Sequence, residues 1–430
     1  MNHKHRVVIV GGGAGGLELA VKLGRAYGES HVTLVDKAPF HIWKPSLHEV
    51  AAGTLDIHRE GLSYPMLAHD HGFRFVPGAM TAVDRERQTV SVAPLLDEDG
   101  EEILPARSLP YDTLVLAIGS HGNFFNTPGA EAYALSLDST EAAERFRRAL
   151  LKITTRLDAQ PDGQGSAHVL IVGGGATGVE LAAELLEASQ VLSNYGASHA
   201  SIPRLHIRLL EGGPRVLAPL PERISAAATK LLTKRGASVI TDCRVTEVTP
   251  NTVITNQQVY PADLCIWAAG IKAPGVLTTL GLETNRLNQV IVNEQLQTAD
   301  PRVFALGDCA AVDWAGTDNK VPARAQAAHQ MSNYLFKVMK ARIDGSPMPA
   351  EAFAYRDFGS LVSLGHAQGV GTLMGSLQGR NFFVEGVVAR VMYSSLRWSH
   401  HAVVLGRIGA CIRALSGFLA KRSRPRVKLH

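Results

Sequence analysis

Residues 7–20 (VVIVGGGAGGLELA) return as residues 169–182 (VLIVGGGATGVELA), identical at eleven of fourteen positions across a separation of 162 residues. Each copy is a short apolar run, as a buried parallel strand requires, followed by Gly-x-Gly-x-x-Gly at the turn into a helix. The three glycines have separate jobs. Gly11 and its counterpart Gly173 permit the tight turn, Gly13 and Gly175 let the backbone approach a pyrophosphate, and Gly16 and Gly178 let the helix lie close on the strand. The helix N-terminus then holds the anion. One such turn is weak evidence, because glycine-rich turns are common; two with matching flanks predict two dinucleotide sites in one α/β chain.

Each copy is followed by an acidic residue at the end of a second apolar run. Asp36 closes HVTLVD twenty residues after Gly16, where a carboxylate accepts hydrogen bonds from ribose hydroxyls. Glu211 closes HIRLLE thirty-three residues after Gly178, which implies an insertion around residues 188–203. A carboxylate there repels the additional phosphate of NADPH, so NADH is the expected second nucleotide. Arg215, four residues on, is the feature that argues the other way.

At 430 residues the chain has room for two or three domains. Its four cysteines, Cys243, Cys265, Cys309 and Cys411, form no Cys-x-x-Cys pair, as expected of a reduced, cytosolic protein, and the six polar or basic residues before the first strand leave no apolar stretch for a secretory signal. The net charge of +4 is unevenly spread. Residues 390–430 carry nine Lys or Arg and no Asp or Glu, which leaves 34 basic against 39 acidic residues in the rest. That tail is also apolar, yet no charge-free stretch approaches the ~18–20 residues needed to span a bilayer. A basic amphipathic helix with Trp398 and Phe418 on its apolar side is expected to lie on an anionic membrane surface; packing on the protein's own core or in a homodimer is the competing use. Nucleic acid is disfavoured, since aromatic interleaving for base stacking is missing.

Turn signals divide the chain into a first nucleotide domain over residues 1–135, an inserted second one over 136–290, a return to the first over 291–345 and a C-terminal part over 346–430. The polar segment Asp158–Ser166 leads into the second glycine turn. Asp263–Gly270 closes the inserted domain and echoes the ending Ala117-Ile-Gly119 of the first. Val303–Asp308 is an apolar strand ending in Gly-Asp, a helix follows from about Ala323 to Lys340, and a Gly-rich stretch runs from Gly365 to Gly379.

A flavin and a nicotinamide dinucleotide on one chain place two rings face to face, so that hydride passes at short range. Electrons then need an exit. A redox cysteine pair is absent, and His41, Ile42 and Trp43 stand where peroxidase-type relatives carry a single cysteine. Cys309 follows Asp308 and reads best as a small buried residue. No His, Cys or carboxylate cluster has metal spacing, so no metal is expected; the pair His400-His401 reads as interfacial rather than ligating. In Ala325-Gln-Ala-Ala-His-Gln330, Gln326 and Gln330 share a helix face while Ala325 and Ala328 keep the neighbouring surface low enough for a flat ring. Amides there can donate to quinone carbonyls.

These residues together resemble a known family. The two glycine fingerprints, Trp43-Lys-Pro-Ser-Leu-His-Glu49-Val-Ala-Ala-Gly53, Trp267-Ala-Ala-Gly-Ile-Lys-Ala-Pro274, Gly307-Asp308, Ala325-Gln326-x-Ala328-x-Gln330 and the terminal Arg424-Pro-Arg-Val-Lys-Leu-His430 are similar to those of the bacterial type II NADH dehydrogenases, single-subunit, non-pumping NADH:quinone oxidoreductases. The resemblance covers nearly the whole chain. It implies a glutathione-reductase-like flavoprotein with two Rossmann-like domains plus an amphipathic membrane anchor, located at the cytoplasmic face of the bacterial inner membrane. It also implies non-covalent FAD in the first site, NADH in the second and a membrane quinone as acceptor. Carried over, Asp36 holds the FAD ribose, Met80 the adenine through its backbone, and Asp308 the ribityl or phosphate region. Lys44, Ala117, Gly119, Gly270 and Ala325 fall among the cofactor-binding positions, and Gln326 and Gln330 line the quinone pocket. Glu180 corresponds to a family carboxylate near the stacked rings, with roles in orienting NADH and delivering protons to quinone. Glu18 occupies its place in the first copy, so a structural role at the helix start stays open. A soluble NADH-dependent ferredoxin or rubredoxin reductase is the runner-up, and an NADH-sensing flavoprotein a non-enzymatic third.

Overall fold

The computed structural model describes residues 4–160, 165–194, 204–365, 369–374, 381–420 and 427. Both fingerprint strands are central strands of five-stranded parallel sheets. In the first sheet the order is Val303–Ala305, Thr113–Leu116, Val7–Val10, Val32–Asp36, Arg74–Pro77. In the second it is Leu135–Ser136, Leu264–Trp267, Ala167–Val172, Leu205–Leu210, Ser238–Ile240. Val7–Val10 and Thr113–Leu116 are buried at every position, which is why they read as unbroken apolar runs rather than alternating ones. The strand Val303–Ala305 pairs in parallel with Thr113–Leu116, so the chain does come back to its first sheet after completing the second.

Ala14–Tyr27 follows the first glycine turn and Ala176–Asn194 the second. The second helix has nineteen residues against fourteen, so part of the extra spacing before Glu211 is added helix; residues 195–203 lie outside the described ones. A two-stranded link, His121–Gly122 against Ile271–Lys272, ties the end of the first module to the end of the second. The long helix spans Ala325–Asp344, two residues later than expected at its start. After it, Gly359–Ser363, Gly369–Met374 and Asn381–Glu385 form an antiparallel sheet. The expected Gly-rich region Gly365–Gly379 thus holds one strand, with 366–368 and 375–380 outside the described residues.

The last helix runs Gly386–Ala420 and breaks at Gly406, whose φ of 77° no helix allows. Carbonyls that the break frees at Val403 and Val404 are met by the Arg25 guanidinium, from the end of the first glycine-turn helix, at 3.1 and 3.3 Å.

Candidate functional site

Within each turn the protein itself demands two of the three glycines. Gly11 and Gly173 have φ of 106° and 110°, where a side chain is strained. A Cβ on Gly16 would lie 1.9 Å from the Gly11 carbonyl oxygen, and one on Gly178 would lie 2.0 Å from that of Gly173. The middle glycines differ. A Cβ on Gly13 or Gly175 would meet nothing within 4 Å, so packing gives no reason for their smallness. A pyrophosphate lying against the turn does, and both turns fit a bound dinucleotide on that ground.

The predicted acids sit beside these turns. Asp36 accepts from the Gly12 N–H at 2.6 Å and the Ala38 N–H at 2.8 Å; Glu211 accepts from the Gly174 N–H at 2.6 Å and the Gly213 N–H at 2.7 Å. Each carboxylate therefore fixes its glycine turn and keeps lone pairs for a ribose. Burial raises the Asp36 carboxyl above its usual value despite those bonds. Arg215 folds over its own loop, donating to the carbonyls of Leu217, Ala218 and Leu220 at 3.3, 2.6 and 2.9 Å.

Around the first turn the ammonium of Lys44 donates to the Ser120 carbonyl at 2.7 Å, and the Ser120 hydroxyl donates to Asp308 at 2.7 Å. Gly119, with φ of 68°, allows the chain to turn just before this contact. Ala117 lies over Gly11 and Gly16, and Ala328 of the long helix packs on Gly15 and Gly307. Met80 begins a strand beside Val92 and is buried. Ala325 opens the long helix, and Gly270, at φ of 72°, ends the inserted module with the Phe125 ring close against it.

Gln326 and Gln330 do share a face, and that face holds the chain that leads into the last sheet. Gln326 donates to the Tyr355 hydroxyl at 2.6 Å and to Asp357 at 2.9 Å. Gln330 donates to the Arg356 carbonyl at 2.8 Å and accepts from the Arg356 N–H at 3.0 Å. Both amides thus have protein partners, which no local sequence signal foretells.

The equivalent carboxylates Glu18 and Glu180 are both buried but live in opposite surroundings. Glu180 takes one N–H, from Ser363 at 2.9 Å, and has His48 Nδ1 at 3.5 Å. Burial, with Glu49 and Glu184 nearby, pushes it up to about 8, while burial also lowers the His48 imidazole. At neutral pH Glu180 is an acid holding its proton. Glu18 is ringed by donors: His329 Nδ1 at 2.7 Å, His400 Nδ1 at 2.9 Å and Lys22 Nζ at 3.2 Å. Burial would raise it, but those hydrogen bonds and charges win and hold it well below the usual carboxylate range.

His400 and His401 are therefore not at an interface with lipid. Both are buried on the inner face of the last helix, where Glu18 and the His41–Trp43 segment supply partners for the His400 ring and His401 lies beside it. Trp43, which opens the Trp43–Gly53 motif, has the His400 ring 4.8 Å away. Arg397 and Arg413 also turn inward, both gripping Glu60, with Arg413 at 3.1 Å. Cys309 is fully buried, its thiol directed at the Leu116 and Leu306 carbonyls and pushed up to about 11 by burial, which makes it an inert neutral thiol. Among the described residues no three His, Cys, Asp or Glu gather to hold a metal ion.

Residues 5–332 match the family model of the pyridine nucleotide-disulphide oxidoreductases. The chain is 40% identical over 444 residues to the type II NADH:quinone oxidoreductase of Haemophilus influenzae, covering 99% of each, and 29% identical to that named Ndh in Mycobacterium tuberculosis, covering 84% of this chain and 78% of the relative. The solved structure of NDH2 from Plasmodium falciparum in complex with NADH superposes with a TM-score of 0.80 at 20% identity, over 99% of this chain and all of the other. The chain belongs to the pyridine nucleotide-disulphide oxidoreductases and, among them, to the type II NADH:quinone oxidoreductases.

Proposed function

We propose that the chain oxidises NADH at its second module and reduces a quinone beside its first, with FAD held in the first module. The reading is carried by the two cradles whose middle glycines border open space, each with a carboxylate tied to its turn. When bound, FAD supplies a two-electron carrier between nicotinamide and quinone. Asp36 and Glu211 would accept from the ribose hydroxyls, Asp308 with Ser120 and Lys44 would hold the ribityl or phosphate region, and Met80 would meet the adenine through its backbone. Residues 1–135 and 291–345 make up the FAD-binding part, 136–290 the NADH-binding part and 346–430 the C-terminal part; the two separate sheets support that division. Glu180, protonated at pH 7 and buried near the second turn, has a proton to give when quinone becomes quinol, which needs two. Gln326 and Gln330 fix the wall of the quinone opening through Tyr355 and Arg356.

The protein rests on a membrane without crossing it. Among the described residues no helix is long and apolar enough to span a bilayer. Beyond Gly406, the side chains of Ile408, Ile412, Leu415 and Leu419 follow one helical stripe and are 79, 63, 59 and 61% exposed, with Arg407 exposed beside them. Because NADH is cytoplasmic, the supporting leaflet is the cytoplasmic one. The basic end 421–428, apart from Val427, lies outside the described residues.

An absorbance spectrum of the purified protein tests the core of this. The flavin bands should bleach with NADH and return with a soluble quinone; a preparation that neither retains FAD nor takes it up refutes the reading. Return with ferredoxin but not quinone establishes the soluble reductase instead. Removing residues 407–430 should release the protein from vesicles containing anionic lipid; continued pelleting, or a loss of dimer with no change in pelleting, refutes the anchor.

A further inference from the structure

A line of buried side chains joins the last helix to the first glycine turn, and hydrogen-bond bookkeeping fixes where its protons lie. The Gly12 carbonyl can only accept, so His41 donates to it through Nδ1 at 3.0 Å. Burial, with His400 nearby, lowers the His41 imidazole to about 3, so its Nε2 carries a lone pair. That lone pair faces His400 Nε2 at 3.0 Å, which must therefore be the donor. The other nitrogen of His400, Nδ1, faces the Glu18 carboxylate at 2.9 Å. His400, buried to 2% exposure, thus joins His41 and Glu18 through both of its ring nitrogens.

The far end of the line bears on nucleotide binding. The Gly12 carbonyl also accepts from the Tyr64 hydroxyl at 2.6 Å, while the Gly12 N–H donates to Asp36. A trans peptide sets the Gly13 N–H opposite the Gly12 oxygen. Whatever holds that oxygen therefore aims the N–H beside the open cradle. The second turn has no such arrangement: the Gly174 carbonyl accepts from the backbone N–H of Leu217 at 2.7 Å.

We infer that Glu18, His400 and His41 are positioning residues that couple seating of the C-terminal helix to retention of the flavin in the first module. The inference rests on FAD occupying that module. A side chain at position 400 that reaches only one of them can satisfy Glu18 or His41 but not both, and the line opens. Other charged or titratable groups face it from every side. Lys22 comes from Glu18's own helix, and His329 from the long helix, where Asn333 donates to His329 Nε2 at 3.0 Å. Tyr64 faces His41 edge-on, and His401, itself lowered by burial and by Arg397 and Arg413, neighbours His400. His329 meets Glu18 and Asn333, so His400 is the member that reaches both Glu18 and His41.

The test follows release of FAD from the holoenzyme by its fluorescence, together with limited proteolysis of the last helix, across sub-denaturing urea. In the unmodified protein both should rise in one step at the same urea concentration. H400Q should release FAD about tenfold faster, the scale of one hydrogen bond, with that step at lower urea and its NADH affinity unchanged. Y64F should speed release while leaving the helix protected. Flavin loss and proteolysis that respond to urea independently in the unmodified protein overturn the coupling, even if H400Q does not fold. An H400Q protein with a cut helix but unchanged FAD release overturns it too. A chain that takes up no FAD at any pH would instead defeat the flavin reading beneath it.

Discussion

The two modules share one fourteen-residue fingerprint, and the glutamate common to both copies does opposite things in each. Glu18 and Glu180 both stand seven residues after the first glycine of their turn, and both are buried. Around Glu18, chain segments from residues 325–344 and 386–420 bring in His329 and His400, and the carboxylate stays charged. Around Glu180, residues 44–63 and 359–363 bring in His48, Glu49 and a single N–H from Ser363, and the acid keeps its proton. Repeat position fixes where a carboxylate stands; what packs on it from outside the repeat decides its chemistry. Two like groups whose surroundings push them apart mark a division of labour: a structural anchor in the first module and a proton holder between the modules.

The largest effect should separate them directly. E18Q leaves the Lys22 ammonium and the buried His400 ring without the carboxylate both contact, which costs about 3–5 kcal/mol by analogy with broken buried pairs. E180Q removes no charge at neutral pH and should cost little. Thermal unfolding of both proteins, saturated with FAD, reads the contrast; equal losses would break the distinction.

Their pH dependences should run in opposite directions. Glu180 is raised from 4.5 to about 8, so the folded state holds a proton that the unfolded chain gives up. Stability is therefore full below about 4.5 and falls as pH climbs to about 8, by up to about 1.4 kcal/mol for each pH unit. E180Q should flatten that slope and be the more stable protein at pH 8. Glu18 is lowered, so its contribution is present above the ordinary carboxylate value and is lost as pH falls below it. E180Q should also slow quinol formation more than flavin reduction by NADH; unchanged rates for both half-reactions in stopped flow would remove Glu180 from the chemistry.

A smaller contrast lies within each turn. G16A and G178A push a methyl into backbone oxygen and should destabilise by about 1–3 kcal/mol. G13A and G175A should leave folding intact yet weaken FAD and NADH respectively. Equal unfolding temperatures for G13A and G16A would show that the open space beside Gly13 has no bearing on the flavin.

The strands, the turns and both acids were legible because local rules write them: apolar runs, glycine spacing and a terminal carboxylate each need only neighbours in sequence. The inward faces of the tail were not. Arg397, Arg413 and His400 look like one polar side of an amphipathic helix, and Glu60, Glu18 and His41, more than 300 residues away, turn them inward. Beyond Gly406 the pattern is simpler, and Ile408, Ile412, Leu415 and Leu419 form an exposed apolar stripe. Tyr64, Ser120, Ser363 and Lys22 were missed because nothing local distinguishes a serine, tyrosine or lysine that will meet a carboxylate or a glycine turn from one that faces water. His329 was visible inside the Ala/Gln motif but had no partner until Glu18 was placed.

The smallest expected effect concerns which nicotinamide nucleotide the second module takes, where Glu211 and Arg215 pull in opposite directions on paper. In the fold they are not rivals. Glu211 borders the glycine turn through two N–H groups, while the Arg215 guanidinium is taken up by three carbonyls of its own loop. Moving that guanidinium to a 2′-phosphate would leave those carbonyls without their donor. E211Q should therefore narrow the preference for NADH by roughly tenfold, about 1.4 kcal/mol, without making NADPH the better substrate. R215A should lower thermal stability and leave the ratio of kcat/KM for the two nucleotides unchanged. If NADPH serves the unmodified protein as well as NADH, or if R215A shifts the ratio, then Arg215 reaches the nucleotide and the carboxylate does not set the choice.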